Sequence, residues 1–121
     1  MPQTILLVDD EFSSLEVLAL LLGQEGYDVV TASDGEEAMS RLAEKRVDLV
    51  ITDYWMPKMN GLELVERMQA DERWHAIPIL LMTATYDSNG VVHPALAGIM
   101  PKPLRFEALL AAIRRLLAKQ N

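Results

Sequence analysis

Five polar residues stand where apolar runs stop. Asp9 and Asp10 close "TILLVDD", Asp53 closes "VDLVITD", Thr83 closes "IPILLMT" and Lys102 closes "GIMPK". A carboxylate at the end of an apolar run is costly to bury and poorly placed to pack. Asp53 is followed at once by a turn, "YWMPKMNG", so it must either cap something or do chemistry. Three carboxylates brought close together repel, and one stays protonated unless a cation sits among them. Oxygen donors without histidine or cysteine favour a hard ion, Mg2+ or Mn2+, with water completing its shell. A hydroxyl and an ammonium beside that ion could hold an anion with several oxygens. Metal, lysine and hydroxyl converging on one carboxylate is an arrangement suited to phosphoryl transfer, with Asp53 as nucleophile and an acyl phosphate as product.

Each residue alone has a plainer reading. "DD" after a strand is often a helix N-cap. Asp53 could simply start the turn that follows it. Thr83 is a common strand end, and a lone lysine is usually a solvated charge. The chemical reading rests on coincidence, because each falls at the end of a different predicted strand.

The elements that must position them are legible in the apolar pattern. "TILLVD", "YDVVTA", "VDLVIT", "IPILLMT" and "GIMPKP" read as strands. They are continuous apolar runs, which predicts that both sheet faces are covered. Between them lie helical patterns. Ser13 with Glu16 and Ser33 with Glu36 have capping-box spacing, and Asn60 is placed to cap "GLELVERMQA". Leu15, Leu18 and Leu22 share one helical face, Ala38 and Leu42 another, and Gly23 or Gly26 can end the first helix. Pro103 suits the first turn of a closing helix, "LRFEALLAAIRRLLAKQ". Strand and helix alternate five times, which predicts a doubly wound α/β domain with a five-stranded parallel sheet. In such sheets ligands bind beyond the carboxyl ends of the strands, where all five polar residues would project.

Composition narrows the function classes. The chain has 121 residues and no cysteine, so one domain over 1–121 is expected, without disulfides or thiolate chemistry. The first apolar run is cut by acids after five residues and has no basic flank, against a signal peptide or a membrane span. A cytoplasmic location is expected. The net charge of −7 argues against direct nucleic-acid binding by this domain.

The motifs "LLVDDE", "DYWMPKMNG", "MTA" and "KP", in this order, resemble the receiver domain of two-component response regulators over essentially the whole chain. The resemblance implies a flavodoxin-like fold with strand order 2-1-3-4-5. It implies that a histidine kinase or phosphotransfer protein donates a phosphoryl group to Asp53. Asp10, Asp53 and the backbone carbonyl of Trp55 would bind Mg2+ directly, with Asp9 helping through water. Lys102 would pair with the phosphoryl group and Thr83 would swing to bond it. Ala84 is small, as the family pattern requires, and the Lys102–Pro103 bond is expected to be cis. Output would pass through the surface of the fourth helix, fifth strand and closing helix to a downstream protein partner.

The chain departs from the pattern in places. "ATYDSNGVVHPALAGIMP" is short and carries Asn89-Gly90 and Pro94, which predicts a short, irregular or missing fourth helix. Ile99 stands where the family usually has an aromatic residue coupled to the threonine. Pro101 is tolerable only on an edge strand. Trp55 is bulky, and could shield an acyl phosphate from water. Leu104, Phe106, Leu109, Leu110, Ile113, Leu116 and Leu117 exceed one helical stripe. They suggest either a homodimer through the 91–117 face or the filling of space beside a reduced fourth helix. His75 and His93 have no partners at ligand spacing and read as surface or loop residues.

Rival classes fare less well. A haloacid-dehalogenase-type phosphatase needs an acid where Trp55 stands. A flavin or nucleotide carrier needs a phosphate loop where "VDDEFSS" offers acids. A scaffold that keeps the site but signals without phosphorylation is the alternative reading. The expectation is a signalling switch whose only chemistry is on its own phosphoryl group.

Overall fold

The apolar runs become strands because each is short, rich in branched side chains and bounded by turn residues. The computed structural model describes residues 2–84 and 93–118. Five strands, β1 (Thr4–Val8), β2 (Asp28–Ala32), β3 (Leu49–Asp53), β4 (Ile79–Ala84) and β5 (Gly98–Lys102), form one sheet in the order β2-β1-β3-β4-β5. Every neighbouring pair is parallel. The four helices among the described residues are α1 (Phe12–Gln24), α2 (Gly35–Glu44), α3 (Gly61–Gln69) and α4 (Phe106–Ala118). None of them is long and apolar enough to cross a membrane.

The two-residue alternation of the strands splits the core in two. Leu6, Val8, Val50 and Ile79 pack with Ala38 and Leu42 of α2 and Leu64, Val65 and Met68 of α3. Ile5, Leu7, Leu49, Ile51, Leu80 and Met82 pack on the other face with Leu15 and Leu22 of α1 and with α4. Each such buried side chain contributes roughly 1.5–3 kcal/mol relative to exposure. The sheet therefore needs helices on both sides, as the continuous apolar strands predict.

Several local expectations shift in register. The first helix starts at Phe12, its N-cap is Glu11, and Ser13 lies inside it. The reason is the Asp9 carboxylate, which accepts the Glu11 N–H at 3.0 Å and turns the chain before Ser13 is reached. The second cap is Asp34, not Ser33; it accepts from Glu37 N–H at 2.8 Å, while Glu37 accepts from Ser33 N–H at 2.6 Å. The aspartate is simply the next residue able to cap. Asn60 forms the full box with Glu63. Gly26 takes φ +96° beyond α1, whereas Gly23 is helical. The closing helix begins at Phe106, so Pro103 precedes it rather than sitting in its first turn.

Pro101 does lie on an edge strand of the described sheet, exposed. The expected irregularity of a fourth helix falls on 85–92, outside the described residues. Residues 93–97 are not helical; Leu96 N–H donates to His93 O at 3.1 Å and Ala97 N–H to Ile79 O at 2.8 Å, leading into β5. The closing helix spends Leu109, Ile113, Leu116 and Leu117 on the core, with Leu104, Phe106 and Leu110 packed partly buried beside them. Among the described residues, the exposed large apolar side chains are instead Phe12, Val17 and Leu20 of α1, and Trp55.

Candidate functional site

Parallel pairing brings the ends of β1, β3, β4 and β5 to one rim. Asp9 and Asp10 follow β1, Asp53 ends β3, Thr83 is the penultimate residue of β4 and Lys102 ends β5. One carboxylate oxygen from each of Asp9, Asp10 and Asp53 lies within 4.8 Å of the others. Asp9 and Asp53 are buried and Asp10 is exposed. Lys102 Nζ donates to Asp53 Oδ2 at 2.8 Å and to Asp9 Oδ2 at 3.4 Å. All five predicted residues therefore meet at one rim of the fold.

The electrostatics follow from that packing. Burial raises the Asp9 carboxyl above its ordinary 3.8, opposed by the Glu11 N–H and by Lys102, and the charge of Asp53 pushes it further up. Burial pulls the Lys102 ammonium down, but the hydrogen bond to Asp53 and the charges of Asp9 and Asp53 outweigh it and leave Lys102 above 10.5. One ammonium thus faces three carboxylates. That excess of negative charge, on oxygen donors alone, fits a hard divalent ion.

Thr83 is fully buried, and its Oγ1 has no hydrogen-bond partner among the described residues. Such an orphan costs about 1–3 kcal/mol and marks a place where an acceptor belongs. The Lys102–Pro103 bond is cis. Ile99, partly buried, pairs in register with Leu81, so no aromatic ring occupies that position.

The loop after β3 is closed on itself. Tyr54 N–H extends the ladder to Met82 O at 2.8 Å, and Gly61 N–H returns to Tyr54 O at 2.9 Å. A Cβ on Gly61 would stand 2.6 Å from the Asp53 carbonyl, so only glycine lets α3 start this close to the site. Trp55 is 62% exposed, its ring set edge-on to Tyr54 at 5.3 Å between centroids.

Some relevant features escape a reading of the sequence. The exposed apolar face of α1 was legible only by counting apolar residues off the Leu15–Leu22 stripe. His93 is not isolated: Nε2 meets Glu66 Oε1 of α3 at 2.7 Å while Nδ1 accepts the Ala95 N–H at 3.0 Å. No local signal announces a partner 27 residues away.

A parallel α/β sheet whose rim closes a lysine onto an acidic, metal-competent cluster defines a receiver-type signalling domain. The chain belongs to the response regulator receiver domain family, whose model matches residues 5–114. It is 35% identical over 124 residues to the DNA-binding response regulator MtrA of Mycolicibacterium paratuberculosis, covering 100% of this chain and 54% of that protein. It is 38% identical over 124 residues to the response regulator MprA of Mycobacterium sp. (strain KMS), covering 100% and 53%. The chain thus spans about half the length of the curated relatives it matches. Among solved structures, TrrA from Thermotoga maritima, determined in complex with Mg2+-BeF, superposes with a TM-score of 0.84 at 31% identity over 94% of this chain and 98% of that one. Chemotaxis response regulator CheY4 of Vibrio cholerae gives 0.83 at 30% over 96% and 99%.

Proposed function

We propose that this chain is a phosphoryl-accepting switch, a single receiver domain over 1–121 whose acceptor is Asp53. The observation that carries the reading is the 2.8 Å contact of Lys102 Nζ with Asp53 Oδ2, beside Asp9 and Asp10. The donor is a histidine kinase or phosphotransfer protein. An Asp53 oxygen attacks phosphorus, the phosphorus–nitrogen bond of the donor breaks, and the donor imidazole keeps the electron pair. Asp10, Asp53 and the Trp55 carbonyl would hold Mg2+, with Asp9 acting through water. A bound Mg2+ would supply positive charge to the phosphoryl oxygens during transfer. Lys102 stays with the new oxygens, and the buried Thr83 hydroxyl gains the acceptor it lacks. The protein acts only on its own phosphoryl group, taking it and hydrolysing it.

Output passes to a downstream protein through the face around β5 and α4, a face that a homodimer over 91–117 would also use. The acyl phosphate carries about one more negative charge than the carboxylate it replaces and adds three acceptor oxygens; these draw Thr83 and Lys102 inward, and the loops that carry them shift population. The domain itself contacts neither nucleic acid nor membrane, and works in the cytoplasm. Intact mass after treatment with a small phosphodonor and Mg2+ tests the core of this reading. An adduct of about 80 Da is expected on the parent and none on Asp53→Asn. A parent without the adduct overturns it.

A further inference from the structure

We propose that Met59, seated in a notch left by Gly35, is the positioning residue that holds the β3–α3 loop at the height where the Trp55 carbonyl can serve the metal. This rests on the reading of the site given above.

Gly35 opens α2, and its backbone does not need glycine for conformational reasons, since its φ is not positive. It needs the space. A Cβ there would stand 2.6 Å from Met59 Sδ, 2.7 Å from its Cβ and 2.8 Å from its Cγ. The clash includes Met59 Cβ, which no rotamer change moves, so it cannot be relieved without shifting the backbone. Met59 is 5% exposed and belongs to the core between the sheet and α2 and α3.

The loop it belongs to is strained. Lys58 has φ +69°, and Met59 N–H donates to Pro57 O at 2.7 Å, a γ-turn with a non-glycine residue at its centre. Such turns persist only where the surroundings over-determine them. The start of α2 supplies those surroundings twice: Gly35 admits Met59, and Asp34 lies 3.9 Å from Lys58 Nζ. Met56, also buried, takes the Thr52 hydroxyl on Sδ at 3.8 Å. Trp55 is thus fixed between Asp53 on one side and a pinned turn on the other. A loop that lifts off α2 carries the Trp55 carbonyl with it, while Asp10 and Asp53 stay on their strands' ends. The start of α2, which touches no ligand, then sets metal affinity.

The test is Mg2+ titration calorimetry on the intact chain, with amide hydrogen exchange over residues 54–60. Gly35→Ala is expected to weaken Mg2+ about tenfold, the size seen when outer supports of metal ligands are removed, and to speed exchange in the loop. In a Met59→Gly background the same change at Gly35 is expected to cost less than about twofold, because the clash is gone. Should Gly35→Ala fail to fold, Met59→Ala, which adds no atoms, is expected to weaken Mg2+ about threefold and loosen the same amides. Unchanged Mg2+ affinity in the folded variant, or a tenfold loss that persists without Met59, overturns the proposal alone. A parent that binds no Mg2+, or whose affinity is indifferent to Asp10→Asn and Asp53→Asn, overturns the reading of the site and this inference with it.

Discussion

Lys102 on β5 reaches across β4 to place its Nζ 2.8 Å from Asp53 Oδ2 on β3. The two strands are not neighbours. In register, Asp53 lies opposite Met82 and Met82 opposite Met100, so Lys102 stands two residues further along its own strand and reaches back. Between them in the sheet, β4 carries Thr83, whose buried hydroxyl has no partner among the described residues.

Removing that ammonium should cost both stability and chemistry. Lys102→Met leaves Asp9 and Asp53 facing each other, and about 1–3 kcal/mol of stability should be lost, less than for a fully buried pair because Lys102 is partly exposed. Phosphorylation by a small donor should slow by about a hundredfold. Denaturant melts and timed mass spectra read the two effects separately.

The same contact predicts an alkaline limit. Folding raises the Lys102 pKa above 10.5, so the folded chain holds this proton more tightly than the unfolded one. The stabilisation is whole below 10.5 and drains away as pH rises through the folded value. Melting curves of the parent and Lys102→Met should therefore differ at neutral pH and converge above 10.5.

Asp9 shifts in the same direction, but in its case the charged form is the one the fold disfavours. Its pKa is raised, chiefly by burial, so between 3.8 and its folded value the folded chain binds more protons and stability falls as pH rises. At neutral pH this burial cost weakens the metal-free fold. Asp9→Asn should raise the melting temperature by a few degrees, the shift that about 1 kcal/mol produces in a domain of this size, and weaken Mg2+ about tenfold. A melting temperature that falls instead would show that the Lys102 pairing outweighs the burial.

Gly61→Ala should be far worse than an ordinary helix substitution. Its Cβ meets the Asp53 carbonyl at 2.6 Å and Leu81 Cδ1 at 2.7 Å, so overpacking should cost about 1–3 kcal/mol or more. It should also displace Asp53 and depress phosphorylation. Asn60→Ala, which removes only the cap, should cost about 1 kcal/mol and spare the chemistry.

Trp55→Asn tests water exclusion. The indole is a large apolar surface two residues from the acceptor, edge-on to Tyr54. If the ring limits water access, its loss should shorten the acyl-phosphate lifetime measurably. Equal lifetimes would assign the ring to packing on the loop alone.

The rim was readable from the chain because strands that end in polar residues are bounded by short-range signals. Apolar runs, turn residues and capping spacings act within a few positions, so element type and order followed from them. Caps were off by one or two residues wherever a neighbouring acid intervened: Asp9 turns the chain so that Glu11 becomes the N-cap of α1, and Asp34 caps α2. The apolar residues of α4 could be read as a partner face or as core because periodicity does not say what lies opposite; Leu109, Ile113, Leu116 and Leu117 are buried in the core, and Leu104, Phe106 and Leu110 only partly.

The residues alone determined that acids, a hydroxyl and a lysine would end four strands, and that helices would cover both faces of the sheet. The tertiary structure alone decided that Asp9 and Asp53 are buried and Asp10 is not, that Lys102 spans β4, and that Gly35 is small because Met59 fills its place. It also joined His93 to Glu66. The reason is range. Local geometry follows from neighbouring residues, whereas a contact between positions 49 or 93 residues apart exists only once strand order and register have set the distance.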